Sequence, residues 1–515
     1  MTRAVRRLRA PPASGCDGST RRPKRTEVET TREIGRRVAV NAAYLFTADV
    51  LGKLLHIVFV AFAARQLGVE RYGMYGVITT VVFFLETAAQ AGVRPMAVRE
   101  IARNRDEAAT LVRTVFLLLL GGATLAYVVL ALVIPLLDYP GEVQALIFLL
   151  AVTLFPKVVL AVFTVVFYAL EEMKTPSVLG IGFAVLSSSA NILLLWLGYG
   201  LTALVWVSLL GSVGEAAVAG WLLVTRFQGG RSGIDVALCR RLIKESLPFA
   251  GIGLAMLAHD KADIFMLSVM QGPLDGLQAV GYYTPAYAIL SALMIIPNNL
   301  RMAIVPAVAA RPDSVEVMRS VLEGSTKVLC AFLSFPLIVA TTFFAEEIVV
   351  LIFGAAYRPT AGALRILGLA YAVMAVTAPA MAIVSTSRNL ARYVPWAVGV
   401  AAANVLLNLF LIPAYSFVGA AVATLITATA AWGFRLYVLR RMFGVALSDI
   451  TPLAQLLPAM TVTFVVCGLL DWWDRLHPAA LATGVALLYL AALVGFRAFR
   501  GEEIAMFRLP WRRWD

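Results

Sequence analysis

Charge is scarce in this chain. Asp, Glu, Lys and Arg make up 15% of its 515 residues, while 60% are hydrophobic, and the mean hydropathy is +0.82. Soluble globular domains carry about a quarter charged residues, so that class is excluded. Cysteine and histidine are sparse too. The four cysteines, Cys16, Cys239, Cys330 and Cys467, stand alone with no CxxC pair, and they read as structural rather than as a metal site or a disulfide framework. The three histidines, His56, His259 and His477, form no HExxH pair, and no GxxxxGK[ST] phosphate loop occurs. No loop is much longer than about twenty residues, which leaves no room for an extramembrane catalytic domain. The chain is therefore expected not to be an enzyme and to hold no cofactor or metal. The net charge of +13 comes from basic residues scattered at the ends of apolar runs, not from one stripe. That pattern argues against nucleic acid and for anionic membrane lipid.

What the chain does have is apolar length. A bilayer crossing needs about 20 mainly apolar residues, and fourteen candidate helices meet that measure. They fall near 38–66, 74–93, 110–137, 143–170, 176–197, 200–225, 247–270, 279–308, 327–344, 362–384, 394–412, 418–438, 453–471 and 479–496. The fold class is thus an all-α polytopic membrane protein with two pseudo-symmetric six-helix bundles plus a C-terminal helix pair. Residues 1–37, with eleven Arg or Lys against four acids and no apolar core, are expected to be a basic disordered cytoplasmic tail. The expected divisions that follow are an N-terminal lobe at 38–228, a basic linker at 229–246, a C-terminal lobe at 247–441, the last two helices within 442–497, and a basic tail at 498–515. With both termini cytoplasmic, about 36 of the 44 basic residues fall inside, five outside (Arg65, Arg71, Arg358, Arg365, Arg475) and three (Lys53, Lys157, Lys261) within helices. One loop runs against this bias: Glu171, Glu172 and Lys174 are net negative on the inner side.

The halves repeat weakly. At an offset of 208, residues 41–103 meet 249–311 with about eight identities, including Lys53 on Lys261, Gly68 on Gly276, Gly73 on Gly281 and Tyr75 on Tyr283. At an offset of 213, Ala190-Asn191-Ile192-Leu193-Leu194 meets Ala403-Asn404-Val405-Leu406-Leu407. These matches favour two lobes in the same orientation, with Lys53 and Lys261 at equivalent wall positions.

Polar groups inside apolar spans cost about 2.5 to 3.5 kcal/mol each at the bilayer centre, so they face protein or a wet cavity. The stretch NAAYLFTADVLGKLLH places Asn41, Asp49, Lys53 and His56 on one helix face. The seventh candidate helix carries His259, Asp260, Lys261 and Asp263, the second carries Glu86 and Gln90, the fourth carries Lys157, and the eighth carries Asn298, Asn299 and Arg301. For each, an internal ion pair or a snorkelling side chain is the structural alternative. Asp49 with Lys53 fits an i, i+4 pair. Asn191, Asn404 and Asn408 suit helix-to-helix hydrogen bonding.

Five segments recur in a known order: LGVERYGMYG at 67–76, Arg99-Glu100-Ile101-Ala102, FYALEEMKTP at 167–176, FAEEIVVLIFGAAYRPTAGALRIL at 344–367 and ANVLLNLFLIPAYSFVGAAVAT at 403–424. In them the chain resembles the polysaccharide and O-antigen flippases, a branch of the superfamily that also contains the multidrug and toxic compound extruders. One departure is Ser416, where that family usually has Gly after the Tyr of an Ile-Pro-x-Tyr turn. The resemblance implies a bacterial inner-membrane protein with two six-helix lobes around a cavity that opens alternately to either side. Its implied cargo is an oligosaccharide on a polyprenyl pyrophosphate, and its implied partners are membrane lipids, a polysaccharide polymerase and glycosyltransferases. A pyrophosphate at the midplane needs basic partners, for which Lys53, Lys261, Arg94 and Arg301 are the candidates. Asp49, His56, Glu86, Asp260 and Asp263 are candidates for ion pairing or ion coupling. Those acids also suit a proton- or sodium-coupled antiporter of drugs or organic cations, and a non-transporting membrane scaffold is a third class.

Overall fold

A single glycine separates the first two rods. The computed structural model describes residues 24–90, 92–103, 108–226, 236–309, 314–386, 394–444, 454–473, 478–496 and 498–499. Lys24–Gln90 is one helical run whose only non-helical residue is Gly68 (φ 73°), which divides it into α1 (24–67) and α2 (69–90). A short helix, Val93–Arg103, follows, with Val93, Met96, Ala97 and Ile101 buried. Next come α3 (Ala108–Val133), α4 (Gly141–Ala151 continued by Leu154–Ala169), α5 (Lys174–Trp196) and α6 (Gly200–Arg226). The second half has α7 (Val236–Met270), α8 (Asp275–Leu293 continued by Ile295–Ala309) and α9 (Val315–Leu329, a π turn at Cys330–Ser334, then Phe335–Phe343). The short helix Ala345–Phe353 leads into α10, made of Thr360–Val376 and Ala378–Thr386 with a 42° bend between them. Val394–Phe443 breaks only at Ser416 into α11 (394–415) and α12 (417–443), before α13 (Leu457–Trp473) and α14 (Pro478–Gly495). Grouped this way, the described residues form fourteen rods, and no strand occurs among them. Eight helical spans pass as bilayer crossings on length and composition, or nine with the bent pair of α10.

The rods match the expected spans in number and order, and the differences lie at the ends. The connection expected at 67–76 shrinks to Gly68, because the polar residues after it continue as the first turns of α2. The α7 helix starts at Val236, inside the expected linker 229–246, and Arg241 and Glu245 pair across one of its turns at 3.4 Å. The α1 helix begins at Lys24, inside the stretch expected to be a disordered tail. Extending an established helix costs far less than starting one. Residues 1–23, 227–235 and 500–515, which hold the rest of the expected tails and linker, lie outside the described residues.

The turn after Tyr415 is made by a strained serine. Ser416 sits at φ 52°, ψ −135°, backbone space that a side chain disfavours by about 1 to 3 kcal/mol. The hairpin is held tight by Gly419, where an added Cβ would lie 2.2 Å from the Leu411 carbonyl oxygen. Ser416→Gly is therefore expected to raise thermal stability in detergent by about 1 kcal/mol. A lower melting temperature would show that the serine hydroxyl makes a contact that outweighs the strain.

The two halves meet in a reciprocal contact. A Cβ built on Gly73 of α2 would lie 1.8 Å from the Leu277 carbonyl oxygen of α8, and one on Gly281 of α8 would lie 2.1 Å from the Val69 carbonyl oxygen of α2. Both pairs obey the 208-residue offset, since 69 corresponds to 277 and 73 to 281. A patch meeting its own copy is what a two-fold axis generates. The internal repeat is thus realised in space, in the same register as Lys53 and Lys261.

Further ties join the halves at this same end, which Gly68 marks. Arg65 donates to the Ile352 carbonyl at 2.9 Å and also to the Leu351 carbonyl, and the Tyr357 hydroxyl donates to the Ala64 carbonyl at 2.8 Å. The hydroxyls of Tyr139 and Ser268 are 2.6 Å apart. At the opposite end the tie is ionic, Arg241 to Glu100 at 2.6 Å. The C-terminal pair packs on α9 through Phe335 with Tyr489 (centroids 4.9 Å) and Phe343 with Phe464 (5.1 Å). Buried Lys327 reaches Gln455 Oε1 at 2.7 Å beside the Phe499 ring.

Candidate functional site between the lobes

Away from the Gly68 end, the first and seventh rods bring charged side chains within electrostatic reach of one another. At 1.5 Å per residue, Lys53 and Lys261 each lie 15 residues, about 22 Å, along their chains from the equivalent glycines Gly68 and Gly276, a distance shorter than a hydrocarbon core about 30 Å thick. Lys53 Nζ is 3.6 Å from Asp49 Oδ2, the expected i, i+4 pair, and both side chains remain partly accessible. One turn further on, His56 lies within electrostatic reach of Lys261 on the other lobe. Lys261 Nζ stands 4.2 Å from the centroid of the Tyr287 ring, a cation–π contact that steadies a charge without neutralising it. Tyr287 is braced edge-on by Tyr371 at 5.7 Å, and its hydroxyl donates to the Asp260 carbonyl. His56 and Asp260 keep accessible side chains although protein crowds around both, as side chains lining a recess do. Aromatic rings continue from His56 towards Gly68: His56 against Phe59 at 6.4 Å, Phe59 against Tyr75 at 6.0 Å and Tyr72 against Tyr357 at 6.3 Å.

Asp263 sits behind this wall. It is fully buried, with Oδ2 accepting from the Tyr283 hydroxyl at 2.5 Å and Oδ1 accepting from the Ile264 N–H at 2.8 Å. No basic group among the described residues is within ion-pair distance of it.

The other sequence candidates fall into two separate groups. Glu86 and Arg94 belong to a network within the first half, in which Lys157 Nζ meets Glu86 Oε2 at 2.5 Å. Gln90 donates to Glu86 at 3.3 Å and Arg94 donates to Gln90 at 3.2 Å. Lys157 thus takes the ion-pair role that was its structural alternative. Glu86→Gln is expected to lower stability, with a coupling to Lys157→Gln of about 1 kcal/mol in a double-mutant cycle, modest because both side chains are partly solvated. Additive losses would mean that the pair contributes nothing. Arg301 lies in the second half beside Arg435. Asn404 bonds across to Thr427 at 3.1 Å and Asn408 bonds to Asn404 at 3.0 Å. Asn191 Oδ1 is buried with no partner, so it makes no helix-to-helix bond through that atom. Sequence reasoning missed Tyr287, Tyr371 and Arg435, and named Tyr283 only as the repeat partner of Tyr75. Tyrosines in an apolar run give no contrast, and Arg435 reads as an end-of-helix charge.

Two pseudo-symmetric helical lobes in close contact near Gly68, with eight or nine described spans long and apolar enough to cross a bilayer, define an all-α membrane fold. The family model for polysaccharide biosynthesis proteins matches residues 38–310, more than half of the chain, and the chain belongs to that family. Its fold is shared with the solved structure of the lipid II flippase MurJ in an inward closed conformation, at a TM-score of 0.68 and 15% identity over 89% of this chain and 98% of that one. It is also similar to an inward-facing multidrug resistance MATE family transporter of the MOP superfamily (TM-score 0.56, 14% identity, 76% and 94% covered). A MATE transporter of Vibrio cholerae gives a TM-score of 0.51 at 15% identity, with 79% and 98% covered. No curated protein sequence matches.

Proposed function

We propose that this chain is a flippase that moves a polyprenyl-pyrophosphate-linked oligosaccharide from the inner to the outer leaflet of a bacterial inner membrane by alternating access. The observation that supports the proposal is that His56, one turn from Lys53 on α1, lies within electrostatic reach of Lys261 on α7, and that Lys53 and Lys261 hold matching repeat positions. A pyrophosphate crossing the midplane needs cationic hydrogen-bond donors that are not already neutralised. Lys261, held over a ring with Asp260 and Asp263 within electrostatic reach but at ion-pair distance from neither, meets that need, and Lys53 meets it by exchanging Asp49 for the headgroup. We assign the lobes to residues 38–228 and 247–441 and place both termini in the cytoplasm, so that the Gly68 end is external. On this reading the recess is closed to the outside. A surface-polysaccharide polymerase and glycosyltransferases are the partners that such a cargo requires.

A second reading is ion-coupled antiport of organic cations, favoured by one observation, the buried and unpaired carboxylate of Asp263. Proteoliposomes separate the two. The flippase reading expects protein-dependent translocation of a fluorescent polyprenyl-pyrophosphate oligosaccharide and no uptake of organic-cation dyes. Dye uptake driven by a proton or sodium gradient and lost in Asp263→Asn, with no movement of the glycolipid, would reverse the assignment.

A further inference from the structure

The end of the α11 and α12 hairpin away from Ser416 brings aromatic rings and two cations onto one exposed face. On α12, Val438 and Leu439 are buried while Tyr437, Arg440 and Arg441 are exposed. At 100° per residue, Arg440 and Arg441 lie about 60° to one side of Tyr437 and about 40° to the other, so the three point outward together. Rings continue the face onto α11. Trp396 stacks on Phe434 with centroids 3.7 Å apart and planes 18° apart, and Tyr437 follows Phe434 at 6.2 Å. Arg441 Nη1 donates to the Tyr437 hydroxyl at 2.6 Å, and its guanidinium stands 6.0 Å from the centroid of that ring. This contact orients the charge without neutralising it. No carboxylate is within ion-pair distance of Arg440 or Arg441 among the described residues. Arg435, on the opposite side of α12, donates instead to Thr377 Oγ1 of α10 at 3.0 Å.

The depth of this face matches a bilayer boundary. Trp396 and Tyr437 are 20 and 21 residues from Ser416, about 30 Å at 1.5 Å per residue, which is the thickness of a hydrocarbon core. With exposed Tyr415 at one boundary, the rings fall at the other, where Trp and Tyr are enriched. Arg440 and Arg441 stand about 5 to 6 Å further out, in the headgroup layer. A phosphodiester offers several acceptor oxygens to a planar guanidinium fork. Two uncompensated cations favour a headgroup of net negative charge over a zwitterionic one, whose own cation they repel. We propose that Trp396, Tyr437, Arg440 and Arg441 form a site for an anionic phospholipid of the surrounding leaflet, its phosphate on the two guanidinium groups and its upper acyl carbons on the rings. The site is on the outside of the C-terminal lobe and does not depend on what crosses between Lys53 and Lys261.

The test is retention of radiolabelled phosphatidylglycerol by the full chain in mixed detergent micelles, with unlabelled lipids as competitors. Unlabelled phosphatidylglycerol is expected to displace the label at least about tenfold more effectively than phosphatidylcholine. Arg440→Gln and Arg441→Gln should each weaken retention about fivefold, and the two together about thirtyfold, as expected for cations near an anionic headgroup. Arg441→Lys keeps the charge and loses the fork, so a smaller loss of about twofold is expected of it. Tyr437→Phe, which keeps the ring and releases Arg441, should cost about the same. Every side chain replaced is exposed, so these variants should fold as the parent does. Arg99→Gln with Arg103→Gln removes the same charge from exposed positions of the 93–103 helix and should leave retention unchanged. Equal displacement by phosphatidylcholine, parental retention in the double Arg440 and Arg441 variant, or an equal loss in the Arg99 and Arg103 control would overturn the site.

Discussion

Gly73→Ala and Gly281→Ala are each expected to suppress transport strongly while leaving the protein folded and inserted, and Gly73→Leu is expected to abolish it. The added Cβ would stand 1.8 Å or 2.1 Å from a carbonyl oxygen of the facing helix, and a backbone atom cannot swing aside as a side chain does. The helices must part, and overpacking of this kind costs about 1 to 3 kcal/mol per site. That penalty falls only on the state in which α2 and α8 cross closely. The ratio of closed to open lobes should therefore drop by about ten- to a hundredfold. The measurement is labelling of a single reporter, Thr79→Cys on half-buried Thr79 of α2, in a background lacking Cys16, Cys239, Cys330 and Cys467. A membrane-impermeant thiol reagent added outside should react at least about tenfold faster in the glycine variants. Gly121→Ala and Gly180→Ala, whose Cβ atoms would meet nothing within 4 Å, are the controls and should behave as the parent. Parental labelling and transport in Gly73→Leu would mean that the crossing does not gate the protein.

The reciprocity of the crossing also fixes how a cycle would use it. Because the Val69 and Gly73 turn meets the Leu277 and Gly281 turn about a pseudo-two-fold axis, the lobes can separate there as two rigid bodies. Most of the other ties at that end are single hydrogen bonds, and at the opposite end half-exposed Arg241 pairs with largely covered Glu100. A single hydrogen bond of this kind contributes about 1 kcal/mol net. The glycine crossing is the contact that tolerates no added atom, which is why a methyl group there should matter more than the loss of any one tie.

The membrane class and the order of the rods were legible in the sequence because a run of about 20 apolar residues has few alternatives. The ends were less so. The polar and glycine letters of Val69–Gly76 suggest a loop, yet the segment is helical, with Val69 and Gly73 against the partner lobe and Glu70 and Arg71 exposed, a difference set by tertiary packing rather than composition. Lys53 and Lys261 stood out because a charge in an apolar run is costly, and the 208-residue offset that pairs them is the one the glycine crossing realises. The sorting of charges into three groups was not legible. Whether Arg94 joins the recess or Gln90, and whether Arg301 faces Lys261 or Arg435, depends on which rods are neighbours. Tyr287, which carries Lys261, gives no signal among the other aromatics.

Replacing both recess lysines should cost the most of any change within the cavity. A pyrophosphate at mid-depth has lost its water, and each cationic donor facing it contributes about 1.5 to 3 kcal/mol, so Lys53→Gln and Lys261→Gln should each slow glycolipid translocation by about ten- to a hundredfold. The two are expected to differ in kind. Lys53 has Asp49 as a resting partner, so Lys53→Gln leaves an acid facing the headgroup, and Asp49→Asn with Lys53→Gln should recover part of the loss. Lys261 has a ring rather than an acid beneath it, so Lys261→Arg, which can stack on Tyr287, should retain much of the activity, while Tyr287→Leu should mimic a partial loss of the lysine. The double variant should be inactive in proteoliposomes and fail to restore surface polysaccharide in a strain lacking its own flippase. Folded, inserted double variant that moves the glycolipid at the parental rate would remove both lysines from the path of the cargo.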